Sequence, residues 1–154
     1  YKPGEKTTLN WSTFIGKEFY ATELAMRYFS NLYWDNTWNA KWRTILGFDF
    51  GIQDSSSLND KHFYWMSPVL IAQYSINPKW QTAVRVEYYQ DEDNVIVATS
   101  DAFKTSGASI NFDYLLNSKV KLRSEARYFD SKEAIFFDTK TNNFFVTTSL
   151  SFEF

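Results

Sequence analysis

The sequence predicts an all-β chain of eight antiparallel strands, wound up and down as a transmembrane barrel or as a portion of one. Three observations carry that prediction. Side chains alternate between polar and apolar along almost the whole chain. Connections are short at one end of the strands and long at the other. Aromatic rings on the apolar face collect at both strand ends.

The first strand is expected over residues 7–16, with Leu9, Trp11 and Ile15 opposite Asn10 and Ser12. The second, 23–35, sets Leu24, Met26, Tyr28, Leu32 and Trp34 against Glu23, Arg27, Asn31 and Asp35. The third, 41–53, alternates most cleanly: Trp42, Thr44, Leu46, Phe48, Phe50 and Ile52 share one face, and Lys41, Arg43, Asp49 and Gln53 lie on the other. In the fourth, 62–76, Tyr64, Met66, Leu70, Ala72, Tyr74 and Ile76 oppose a mixed face that includes Trp65, Ser67 and Gln73. The fifth, 80–91, sets Trp80, Thr82, Val84, Val86 and Tyr88 against Gln81, Arg85, Glu87, Tyr89 and Asp91. The sixth, 104–116, opposes Ala108, Ile110, Phe112, Tyr114 and Leu116 to Thr105, Ser109, Asn111 and Asp113. In the seventh, 119–131, Val120, Leu122, Ala126 and Tyr128 face away from Lys119, Lys121, Arg123, Glu125 and Arg127. The eighth, 144–154, carries Phe144, Val146, Leu150, Phe152 and Phe154 opposite Thr147, Ser149, Ser151 and Glu153. Each is long enough to cross a bilayer at about 45° tilt, which takes roughly 9–11 residues.

The connections sort by length. Residues 35–40, 76–79 and 116–118 are short, and 16–22, 53–61, 91–103 and 131–143 are long. Short turns at one rim and long polar loops at the other mark strands that hang in an outer membrane.

Alternation alone does not say which face meets which medium, since a soluble barrel wets its polar face and a lipid-embedded one inverts this. The aromatic positions decide. Trp34, Trp42, Tyr74, Trp80 and Tyr114 fall near the short-turn ends, and Phe50, Tyr64, Tyr88 and Tyr128 near the long-loop ends. Trp42 to Phe50 spans roughly 20 Å along the membrane normal at ~3.3 Å per residue and ~40° tilt, close to the ~25 Å apolar band of such barrels. The strand preference of aromatic residues explains their number, not their gathering at two levels.

With the apolar face in lipid, Arg27, Arg43, Asp49, Arg85, Glu87, Asp113, Arg123, Glu125 and Arg127 are expected to line the lumen, with Glu23, Asp35, Lys41, Asp91, Lys119, Lys121 and Glu153 beside them. In a wide barrel these charges set the local field on passing solutes. The alternative is a salt-bridge network that fills the lumen and pins strand register. Basic and acidic residues balance inside, so no ion selectivity is expected.

Composition closes off other classes. The 154 residues carry 16 Lys+Arg against 18 Asp+Glu, a net charge of −2, and so lack a nucleic-acid footprint. Aromatic residues make up 20%. Cysteine is absent, and one histidine, His62, stands near Ser55–Ser57 and Asp60 without the spacing of a nucleophile, base and orienting group. Residues 91–94 (DEDN) lack the spacing of a calcium loop. No metal, no cofactor and no enzymatic activity are expected. No apolar run reaches the ~20 residues of a transmembrane helix. Residues 1–20 lack a signal-peptide pattern, which leaves a mature protein, a cytosolic one or a fragment.

KPGEKTTLN (2–10), MRYFSNLYW (26–34), FDFGIQ (48–53), AVRVEYYQDEDN (83–94), residues 104–132 and TTSLSFEF (147–154) together resemble the OmpL-like β-barrel porins of Gram-negative outer membranes. The match runs over nearly the whole chain. One departure is DEDN, where a glycine is more usual after the acidic pair. The resemblance implies a passive channel for small hydrophilic solutes in the bacterial outer membrane. It also implies that Phe152 and Phe154 belong to a C-terminal signal read by the barrel-assembly machinery. Further expected partners are the bilayer with its lipopolysaccharide, and either more copies of the chain or a larger membrane complex. A non-channel barrel that binds a partner through its loops is the alternative. Family members are longer and are matched here in their C-terminal part. Tyr1–Gly4 reads as a turn, so the strands are expected to form part of a barrel of about twice the strand number, against a closed eight-stranded one. Phe14, Phe29, Phe63, Trp65, Tyr89 and Phe129 point inward and would crowd the smaller lumen.

Overall fold

The computed structural model describes Tyr1 and residues 4–20, 23–55, 61–137 and 139–153. Eight strands follow in chain order: β1 (Thr7–Tyr20), β2 (Glu23–Thr37), β3 (Trp42–Asp54), β4 (His62–Asn77), β5 (Trp80–Asp91), β6 (Phe103–Asn117), β7 (Val120–Ser131) and β8 (Asn142–Phe152). Each pairs antiparallel with the next in one up-and-down sheet. Among the described residues β1 and β8 are edges that do not pair with each other, so the sheet stays open.

The two faces differ as a lipid-embedded sheet requires. Val84 is 49% exposed, Val86 45% and Phe48 43% on the apolar face, whereas Gln53 and Asp91 are fully covered and Asp113 is 3% exposed on the polar one. In water this arrangement would leave the oily surface unburied. Phe63 and Trp65, on the same inner face as the charges, are also buried.

Two expectations are corrected. The connection after β1 is not long, because the strand continues to Tyr20 and only residues 21–22 separate it from β2. Lys17 on the otherwise apolar side interrupted the pattern and hid the last turns of the strand. Lys41 and Lys119 are not lumenal strand residues, since β3 begins at Trp42 and β7 at Val120. The Lys41 ammonium lies 6.0 Å from the ring centroid of Tyr74, a residue of the outer face.

The short turns share one construction. Asn39 Oδ1 accepts the backbone N–H groups of Lys41 (2.8 Å) and Trp42 (3.0 Å), and Asn77 Oδ1 accepts those of Lys79 (2.9 Å) and Trp80 (3.0 Å). Asn117 Oδ1 accepts the Lys119 N–H at 2.9 Å. An Asn side chain that replaces a backbone acceptor in this way closes a tight turn without further partners.

The ladder between β4 and β5 lapses at Ser67 and Pro68: Met66 pairs Gln90 and Val69 pairs Glu87, with no pair between them. Proline has no N–H to give β5 there. The β5–β6 loop is organised by Asp91, whose carboxylate accepts the N–H groups of Val95 (2.8 Å), Ile96 (2.7 Å) and Val97 (2.9 Å). Asn94 takes a left-handed φ of 54° to bring them round.

Candidate functional site

The inner wall is built on small residues in β3 and β6. Register places Gly51 between Phe29 and Trp65, and Gly107 between Glu87 and Phe129. A Cβ on Gly51 would stand 1.9 Å from the Trp65 ring, and one on Gly107 would stand 2.6 Å from Phe129 and 2.9 Å from Glu87. The missing side chains let residues two strands apart meet. Phe29 and Trp65 thus stack at 6.4 Å with planes 10° apart.

The same device assembles the charges. Ser109 separates Arg85 from Arg127 in register. Over it, Arg127 binds Glu125 on its own strand at 2.9 Å and reaches Glu87 Oε1 on β5 at 3.7 Å. Arg85 Nε donates to Glu87 Oε2 at 3.0 Å, so Arg85, Glu87, Arg127 and Glu125 form one chain of charges. Glu87 Oε1 is buried and accepts no hydrogen bond from the described residues.

Next to this chain, Arg123 grips Asp113 with two bonds of 2.7 Å, one from Nε and one from Nη2. Asn111 adds a third bond at 2.8 Å, and Lys121 stands 3.8 Å away. Bidentate guanidinium–carboxylate geometry is among the strongest available to side chains. On the other flank Arg43 holds Asp35 through Nε at 2.8 Å and Nη2 at 2.5 Å.

Arg27 and Asp49 have neutral partners. Arg27 Nε donates to Gln53 Oε1 at 2.7 Å, and its guanidinium lies 5.5 Å from the Trp65 ring centroid. Asn31 donates to Asp49 at 2.5 Å. Arg27, Asp49 and Trp65 border a recess of about 360 Å³ with Phe14, Glu18, Phe29, Tyr89 and loop residue Ile96.

The nine residues expected in the lumen therefore share one face of the sheet, on which Arg43 is exposed. Seven join ion-paired groups, with Asp35 completing one of them; Arg27 and Asp49 stand apart beside the aromatic stack. Sequence reasoning missed Gln53, Asn31 and Asn111 as partners, although their positions on the inward parity were visible. It also gave Asp91 no role in the loop that follows it. A carboxylate just before a turn-rich segment was the available signal for a loop organiser.

On the outer face Trp42 and Tyr74 lie 4.7 Å apart, as do Trp80 and Tyr114, both as direct cross-strand neighbours near the short turns. Trp34 meets Trp38 edge-on at 5.7 Å. Toward the long loops Tyr64 and Tyr128 are exposed, and the Tyr88 hydroxyl donates to Gln90 at 3.2 Å. Phe152 is exposed on the outer face of β8, while Phe154 lies outside the described residues.

His62 Nδ1 lies 2.8 Å from Asp54 Oδ1 at the long-loop end of β3 and β4, and its side chain is exposed. Ser56, Ser57 and Asp60 lie outside the described residues. Among the described residues no three His, Asp or Glu side chains converge as a metal site.

The family described as "Putative beta-barrel porin-2, OmpL-like" matches residues 1–154. No curated protein and no solved structure matches the chain.

Proposed function

From the premise that the chain belongs to the OmpL-like β-barrel porin family, we propose that it forms a passive channel for small hydrophilic solutes in a bacterial outer membrane. The observation that carries this reading is the inverted facing: charged and polar side chains on the covered face, aliphatic and aromatic ones on the exposed face. A wall of that kind is stable with lipid outside and water within. Arg43, Arg85, Arg123 and Arg127, each beside a carboxylate, set a field that alternates in sign along the wall and selects solutes by size more than by charge.

The open edges of β1 and β8 favour a wider barrel. In hydrocarbon an unpaired strand edge is untenable, so β1 and β8 need partners, which further strands would supply. A lumen wider than eight strands also leaves room for the Phe29–Trp65 stack beside a water path. The outer-face rings at the short-turn and long-loop ends act as the two interface belts. Lipopolysaccharide and the assembly machinery are the partners this placement calls for, with Phe152 presented outward to the latter.

The test is single-channel recording of the full-length protein in planar bilayers. Discrete steps are expected, with conductance or ion selectivity altered by Arg85→Ala or Arg123→Ala. A folded, silent barrel favours a structural or loop-mediated binding role, toward which the dense ion pairing of the wall also points.

A further inference from the structure

The short-turn rim carries a repeated cation that the channel reading leaves unused. The tripeptide Asn-x-Lys stands in all three short turns, at 39–41, 77–79 and 117–119, with a fourth copy at 59–61 in the β3–β4 loop. In each short turn, the Asn side chain holds the lysine N–H. The lysine carbonyl then accepts an N–H from the following hairpin: Ser75 to Lys41, Leu115 to Lys79 and Glu153 to Lys119, each at 2.8 Å. Lys6 occupies the same position before β1, its carbonyl accepting the Thr37 N–H at 2.8 Å. The backbone thus fixes one lysine per hairpin at the same level. Strands ~4.8 Å apart, tilted by ~40°, space these lysines by roughly 12 Å along the rim.

All four lysines are exposed, and among the described residues none has a carboxylate within ion-pair distance. At the opposite rim Lys61 and Lys104 meet Asp93 and Glu92. Lys41 and Lys79 each immediately precede a ring of the outer-face pairs Trp42–Tyr74 and Trp80–Tyr114. Lys41 folds its ammonium back over Tyr74, on the lipid side of the wall. A lysine stem laid along an interfacial ring puts its charge at headgroup depth.

We infer that Lys6, Lys41, Lys79 and Lys119 form a crown that binds the headgroups of anionic phospholipids in the leaflet at the short-turn end. This rests on the membrane reading above. Depth and side favour a lipid over a soluble anionic polymer, because Lys41 and Lys79 adjoin rings of the outer-face belt and the Lys41 ammonium lies over Tyr74. Each lysine near an anionic surface is worth roughly fivefold in partitioning.

The test uses the full-length protein in vesicles and follows quenching of its tryptophan fluorescence by brominated phosphatidylglycerol against brominated phosphatidylcholine. The wild type is expected to prefer phosphatidylglycerol by roughly fivefold or more, with the preference falling between low and 1 M salt. The quadruple variant K6Q/K41Q/K79Q/K119Q should lose the preference. A control with the same charge change at the other rim, K17Q/K61Q/K132Q/K140Q, should keep it. If the glutamine variant fails to fold, the wild-type salt dependence and retention of the preference by K6R/K41R/K79R/K119R carry the test. Equal quenching by both lipids, or equal loss in the control, overturns the crown and leaves the membrane reading intact. So does lysine-dependent co-sedimentation with peptidoglycan without a lipid preference. Quenching by neither lipid overturns both.

Discussion

Gly51 and Gly107 do more for the inner wall than the large residues beside them, because an absent side chain is what allows contact across a whole strand. Gly51→Ala places a methyl group where the Trp65 ring lies, 1.9 Å from its nearest atom. The ring must move off Phe29, with an expected cost of about 1–3 kcal/mol in urea unfolding from vesicles. Adding Trp65→Ala should return part of that loss, since the two changes share one space. Arg123→Ala poses a different problem at the same scale. It removes both guanidinium bonds from a covered Asp113 and leaves Asn111 and a distant Lys121 to serve the carboxylate. A loss of roughly 1–3 kcal/mol is expected, most of it restored by Asp113→Asn in the same chain. Which residues share the charged face was legible from period-two spacing, and the ring positions turned that face inward. Which charge took which partner was not, because Arg127 reaches Glu87 over Ser109, and that choice depends on the register of three strands.

At the scale of the element, strand order and number followed from the alternation, and the errors fell at strand ends. Lys17 on the oily side concealed the end of β1. Lys41 and Lys119 kept the strand parity although they belong to turns. The turn construction was written in the sequence as Asn-x-Lys, but a motif spaced by about one hairpin is invisible to a search for short-range periodicity. The β5–β6 loop hangs on Asp91, whose two oxygens are occupied by three N–H groups. Asp91→Asn leaves one acceptor oxygen where the carboxylate has two. Amide exchange at Val95–Val97 should then accelerate by roughly tenfold or more, as for loss of a bond of about 1.4 kcal/mol, while strand amides stay protected.

For the molecule as a whole, the decisive property is the medium each face meets. Val84→Arg puts a cation on the exposed oily face and should cost about 2–4 kcal/mol when the barrel is refolded in lipid. Ala83→Arg, its inward neighbour, should cost clearly less. Equal tolerance at the two positions would reverse the facing. The Asn-built turns carry a consequence for size. Each hairpin closes on its own side chains and hands one carbonyl to the next, so neighbours dock without reference to how many others stand in the ring. Girth in such a wall can grow by duplicating a unit of one turn, two strands and a loop, and every copy arrives already aligned. Circumference is then inherited in whole steps, as a count of repeats.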